Sequence, residues 1–264
     1  MAQSVVKTEE LLKALCGENV SPQPIGNGFE IYVSKNHTFG TDAVLLSHFA
    51  APKKNDKAVD LGTGCGIIPF LWARDGLTSY TAGLEISPEG VALANASLEK
   101  NAPKSTLEFF EGDIKNPFVK LKKGAYTLVT CNPPYKAAGA GILSDSVADK
   151  FARHETACDL ADVIKAAAGL LQFGGRLVIC QRPERLGEIF SQMTAHKIEP
   201  KKLRLVCRSE GDEPWLVLVE GRLGGGKGIR IMPNLNLYKD GKLSDELLKI
   251  EGPYLQGAKT EVKR

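Results

Sequence analysis

From Lys57 onward the chain alternates short apolar runs with helical stretches, and no other feature restricts its possible fold so tightly. Ala58-Val59-Asp60-Leu61, Tyr80–Ile86, Thr106–Phe110, Ala125–Cys131 and Arg176–Cys180 read as buried strands. Between them Ile67–Ala73 is helical, and Ser87 followed by Pro88 is a helix start whose stop lies at Asn101 and Pro103. Thr156–Leu171 repeats apolar residues at Leu160, Ile164, Ala168 and Leu171 and stops at Gly174-Gly175. After Pro183, Leu186, Ile189, Phe190 and Met193 lie on one helical face. Leu203–Cys207 and Trp215–Val219 close the series as a strand pair. Strands separated by helices pair in parallel and need cover on both faces. The expected class is therefore α/β: a doubly wound, mostly parallel, seven-stranded sheet with one antiparallel strand. Such sheets bind ligands at the carboxyl ends of their strands, near the reversal of strand order.

Upstream, residues 3–16 read as a helix with Val6, Leu11, Leu12 and Leu15 on one side, and the stretch with Pro22, Pro24, Gly26 and Gly28 reads as irregular. Phe29–Val33 is a strand and Thr41–Ala50 a helix. The expected divisions are an extension at 1–52, a core domain at 53–223 and a basic tail at 224–264. No apolar run is long enough to span a bilayer, and Met1–Glu10 has no signal-peptide core, so a cytoplasmic location is expected. The six cysteines lie at least 22 positions apart, which excludes a CxxC pair or zinc knuckle and makes them buried hydrophobes; no metal is expected. The net charge of +3 is concentrated at one end. Residues 201–264 hold 13 Lys and Arg against 9 Asp and Glu, which suits an anionic partner there.

The strand ends carry the chemistry. Gly62, Gly64 and Gly66 follow Asp60 in the first strand-to-helix turn, where missing side chains let a ligand approach the backbone. The spacing is not that of a dinucleotide site, since Ile67 stands where a third glycine would be needed. Glu85 ends the next strand and can accept from both ribose hydroxyls of a nucleoside; Asp113, followed by Ile114, ends the third and can reach an adenine amino group. The fourth strand runs into Asn132-Pro133-Pro134-Tyr135. Two prolines force the chain out of the sheet in a rigid turn that presents an amide oxygen, carbonyls and a ring, a set suited to a flat molecule bearing an amino group. An adenosyl ligand without a pyrophosphate, S-adenosylmethionine, fits this succession better than NAD. A P-loop imitation at Gly221–Lys227 fails, because Gly228 replaces the required Ser or Thr.

Asp60–Gly66, Glu85, Asp113 and Asn132–Tyr135, in that order, resemble the class I S-adenosylmethionine-dependent methyltransferases, and Asn-Pro-Pro-Tyr resembles the branch that methylates amino or amide nitrogens. Phe39-Gly40-Thr41-Asp42-Ala43-Val44-Leu45-Leu46, Ala152-Arg153-His154-Glu155 and Leu237–Glu246 resemble the bacterial tRNA(Val) adenine-37 N6-methyltransferases. The resemblance implies a Rossmann-like methyltransferase sheet, a cofactor site extended by Thr41, Asp42 and Asn132, and catalysis by Asn132, Pro133 and Tyr135. It also implies substrate contacts at Phe39, Tyr135, Arg153 and His154. Lys227 and Arg230, in a basic loop, are candidate RNA contacts, and Lys136–Lys150 reads as a lid. The implied partner is tRNA presenting one flipped adenine; a monomer is the default oligomeric state. A release-factor glutamine methyltransferase and a non-catalytic S-adenosylmethionine- or RNA-binding module are the alternatives.

Overall fold

The computed structural model describes residues 10, 12–17, 20–133 and 158–255. The strands are β1 (Ser21–Gly26), β2 (Phe29–Val33), β3 (Lys57–Leu61), β4 (Tyr80–Glu85), β5 (Thr106–Glu111), β6 (Tyr126–Cys131), β7 (Leu171–Gln181), β8 (Ile198–Cys207) and β9 (Pro214–Leu223). The helices among them are α1 (Thr41–Ala50), α2 (Ile67–Arg74), α3 (Pro88–Asn101), α4 (Leu160–Leu170) and α5 (Leu186–Ala195). Seven strands, in the order β5-β4-β3-β6-β7-β9-β8, form the body of a nine-stranded sheet, and β9 alone runs against its neighbours. The expected class is correct. The order turns back between β3 and β6, so their carboxyl ends, with that of β4, flank the ligand crevice such sheets possess.

Side-chain alternation along the strands divides the core. Ala58, Leu128, Val178 and Cys180 face Phe70, Trp72, Leu93 and α1, whereas Val59, Val129, Leu177 and Ile179 face Ile164, Leu170, Ile189 and Met193. Helix α1 belongs to this core: Leu45, Leu46 and Ala50 are buried, and the Trp72 indole N–H donates to the Ser47 carbonyl at 3.1 Å. Ser87 caps α3, accepting from Gly90 N–H at 3.5 Å, as the Ser-Pro start signal implies.

Two stretches depart from expectation. Ser21–Gly26 is a strand despite Pro22 and Pro24, paired antiparallel with β2 in a separate two-stranded sheet. The hairpin between them turns at Asn27 (φ 52°) and Gly28 (φ 77°), the left-handed pair that tight hairpins prefer, so Asn-Gly was the signal that outweighed the prolines. The outer edge of β2 is covered by α3: Glu30 N–H donates to Asn101 Oδ1 at 3.0 Å and Tyr32 N–H to Ser97 Oγ at 2.8 Å. Second, the described part of the tail is folded. Beyond the glycine-rich loop, β10 (Arg230–Ile231) and β11 (Leu235–Asn236) add to the edge of β8. β12 (Tyr238–Lys239) pairs with β13 (Lys242–Leu243), and α6 (Asp245–Leu255) packs on β1 and α1. Arg204 of β8 anchors this return with two hydrogen bonds of 2.7 Å to the Glu246 carboxylate and one to the Pro233 carbonyl.

Candidate active site

At the carboxyl ends of β3, β4, β5 and β6 lies a cavity of about 290 Å³, close to the roughly 300 Å³ lower end of small-molecule sites. Gly62, Gly64, Glu85, Asp113, Ile114, Asn132 and Pro133 line it, so residues from four successive strand ends converge on one cavity. Three residues that the sequence reading passed over, Asn36, His37 and Thr38, form another wall; they come from the loop between β2 and α1.

Glu85 organises the floor. Its Oε2 accepts from Gly64 N–H at 2.8 Å and its Oε1 from Ser87 N–H at 2.9 Å. Each carboxylate oxygen keeps a further lone pair for a ligand hydroxyl, which suits a vicinal diol. Gly64 has φ 56°, in the left-handed region that favours glycine, and the turn therefore offers bare backbone to the cavity. Gly66 serves packing: a Cβ there would lie 2.9 Å from the ring of Phe109, which stacks on Phe70 with centroids 5.5 Å apart. Asp113 stays at the cavity wall, its Oδ1 accepting from Lys115 N–H at 2.8 Å.

Asp60 is not a lining residue. The residue is 2% exposed, and its carboxyl accepts from the Thr130 hydroxyl at 2.7 Å, bracing β3 against β6. Burial pushes it up to about 7, opposed by the Thr130 hydrogen bond and reinforced by the charge of Glu85. Because the folded-state value is raised, the folded protein retains a proton that the unfolded chain has lost between about pH 4 and 7, and stability falls as pH rises through that window. Asp60→Asn, a mimic of the neutral acid, is therefore expected to stabilise at pH 8 by on the order of a few kcal/mol and to change little at pH 4. Denaturant unfolding at both values measures this, and an equal gain at both would exclude the charge as the cause.

Asn132 is held from two distant elements. Its Nδ2 donates to Asp42 Oδ2 of α1 at 3.1 Å, and its Oδ1 accepts from the Cys180 thiol of β7 at 2.9 Å. A carboxylate only accepts, so Asp42 determines which end of the amide is nitrogen and leaves the oxygen on the opposite side. Asp42 thus touches Asn132 and the Ala43 N–H; Thr41 faces Glu251 of α6, and neither Thr41 nor Asp42 lines the cavity. Phe39 packs against the core, half buried. Burial pushes the Cys131 thiol well above its ordinary range and that of Cys158 up to about 12, so neither wall cysteine is a thiolate nucleophile near neutrality. Tyr135, Arg153, His154 and the 136–150 segment lie outside the described residues.

Lys227 and Arg230 are exposed on the far flank of the sheet. Strand pairing sets Arg230 level with Lys202, Glu220, Val178 and finally Thr130. It is four strands from β6, roughly 19 Å at about 4.8 Å per strand. Part of the basic excess of residues 201–264 is consumed internally, by Lys202 on Glu220 at 3.0 Å and by Arg204 on Glu246.

Sheet order and family membership together define a Rossmann-like, S-adenosylmethionine-dependent methyltransferase, with the glycine turn, the Glu85 carboxylate and the strand-end amide gathered at its cavity. The methyltransferase small domain family model matches residues 30–197, and the chain belongs to that family. Among curated relatives, the tRNA1(Val) (adenine(37)-N6)-methyltransferase of Cronobacter sakazakii is 25% identical over 182 residues, covering 68% of this chain and 73% of its own. Its namesake from Aeromonas hydrophila is 24% identical over 224 residues, covering 81% and 89%. Of solved structures, a predicted O-methyltransferase from Agrobacterium tumefaciens superposes with a TM-score of 0.66 at 20% identity, over 81% of this chain and 96% of its own. P. horikoshii TYW2 in complex with MeSAdo gives 0.54 at 13%, over 79% and 73%. These two likenesses establish the fold alone. No described helix is long and apolar enough to cross a membrane.

Proposed function

We propose that this methyltransferase acts on N6 of an adenine in tRNA, at position 37 of a valine tRNA, in the cytoplasm. The observation that carries the proposal is the fixed Asn132 amide at the cavity wall, oxygen directed away from Asp42 and followed by the Pro133 carbonyl. The names of the curated relatives support the choice of nucleic acid. S-adenosylmethionine supplies an electrophilic methyl group when bound; Gly62, Gly64, Glu85, Asp113 and Ile114 are the residues that would hold it.

What remains for the protein is to make the amine nucleophilic, because its lone pair is delocalised into the purine ring. Asn132 Oδ1 and the Pro133 carbonyl accept its two N–H bonds, drawing the nitrogen toward a tetrahedral shape and stabilising the positive charge that grows on it. The thiol of Cys180, a weak donor, leaves Oδ1 able to take a stronger one. Tyr135 is assigned the stacking contact, worth about 1–3 kcal/mol. Arg153, His154, Phe39, Lys227 and Arg230 are proposed as tRNA contacts, the last two as phosphate ligands.

Total tRNA from cells lacking the protein is expected to lose N6-methyladenosine from one isoacceptor, detected by nucleoside mass spectrometry of fractionated tRNA. An unchanged profile, with loss of a methylated glutamine in a protein instead, would overturn the choice of acceptor and leave the class of enzyme intact.

A further inference from the structure

One wall of the cavity is supplied by His37, and its imidazole has an unusual environment. Both ring nitrogens are buried and neither has a hydrogen-bond partner among the described residues, and the side chain as a whole is only 11% exposed. A buried imidazole left unsatisfied carries a desolvation cost that a native site recovers through a ligand. The loop that carries it is pinned to the first turn of α3. Glu89 accepts from Ser34 Oγ at 2.5 Å and from Asn36 Nδ2 at 3.2 Å, and His37 Nδ1 stands 3.7 Å from the same carboxylate. The opposite side of the ring is pressed against Gly90. A Cβ built there would lie 2.9 Å from Glu85 Cγ, 3.0 Å from His37 Cδ2 and 3.1 Å from the Gly64 carbonyl. Glycine at position 90 is thus what lets Glu85, the glycine turn and the imidazole edge bearing Nε2 meet at one point.

We propose that His37 is the second arm of the ribose site: the Glu85 carboxylate accepts hydrogen bonds from the two hydroxyls, and His37 donates an N–H to one of the hydroxyl oxygens. The loop preceding α1 then binds the cofactor directly. This inference rests on the S-adenosylmethionine site and is independent of RNA as the methyl acceptor, so it stands or fails separately from the proposed substrate.

The test is calorimetric binding to the full-length protein, without turnover. Two probes are used: S-adenosylhomocysteine, and 5′-methylthioadenosine, which retains the ribose but lacks the amino-acid moiety. His37→Ala is expected to weaken both by a similar factor of about tenfold, the value of one hydrogen bond of roughly 1.4 kcal/mol. His37→Gln, which keeps an N–H near the Nε2 position, is expected to recover most of the loss. Wild-type affinity for both probes in His37→Ala would overturn the proposal. So would a loss confined to S-adenosylhomocysteine, which would place His37 at the amino-acid end. Binding by His37→Gln as weak as that of the alanine variant would also overturn it, since only the shape of the loop would then matter.

Discussion

Asn132→Ala is expected to reduce kcat for adenine methylation by about 10²–10³-fold, the usual cost of deleting one preorganised polar contact to a reacting centre. The loss should fall on kcat, with KM for tRNA and S-adenosylhomocysteine binding changing far less, because in the proposed mechanism the amide acts on a charge that develops only during transfer. Its supports give a graded companion result. Asp42→Ala removes the acceptor that orients the amide while leaving Oδ1 in place, and a loss of about tenfold, again in kcat, is expected. Single-turnover methylation of fractionated tRNA, beside calorimetry with S-adenosylhomocysteine, separates these effects. A variant lacking Asn132 that methylates at the native rate would remove the amide from the mechanism. Equal losses in kcat and cofactor binding would make it a cofactor ligand.

Glu85→Ala should act on the other side of the reaction, weakening S-adenosylhomocysteine binding by about 10²-fold or more, as expected for losing two hydrogen bonds to a charged acceptor. The side chain has a double task. Its two oxygens already fasten Gly64 and Ser87, so its removal both deletes the proposed diol acceptor and releases the glycine turn. Glu85→Gln keeps one oxygen and the approximate shape, and should lie between the two. Isothermal titration gives the affinities. The rise in melting temperature at saturating ligand provides a second reading, since a ligand bound only by the folded form stabilises according to its affinity. No change in either measurement would remove Glu85 from the ribose site.

The parallel sheet was readable because its signals are local. Apolar runs of strand length, the Ser87-Pro88 start and the glycines after Asp60 each specify conformation within a few residues, and seven strands with one antiparallel member follow from their order. Reading failed where two local signals competed or where ordering came from elsewhere. At β1, Pro22 and Pro24 argued for irregular chain while Asn27-Gly28 argued for a hairpin, and pairing with β2 decided between them. In the tail, two-residue strands have too little sequence to announce themselves; they form because β8 offers an open edge and Arg204 a partner for Glu246.

The sequence by itself determined the kind of chemistry: which residues stand at strand ends, and that an amide followed by two prolines leaves the sheet there. Tertiary structure decided how those residues are used. Asp60 and Gly66, adjacent in motif to Gly62 and Gly64, turn inward to brace the sheet and seat Phe109, because alternation along a strand and the path of a turn separate neighbours onto different faces. Conversely, Asp42 meets Asn132 across 90 positions, and Cys180 meets it across 48. His37 reaches the Glu85 carboxylate's side of the cavity only because α3 holds its loop and Gly90 leaves room. No spacing rule records such contacts, since they depend on which helix covers which strand, and that is settled by burial of the whole core.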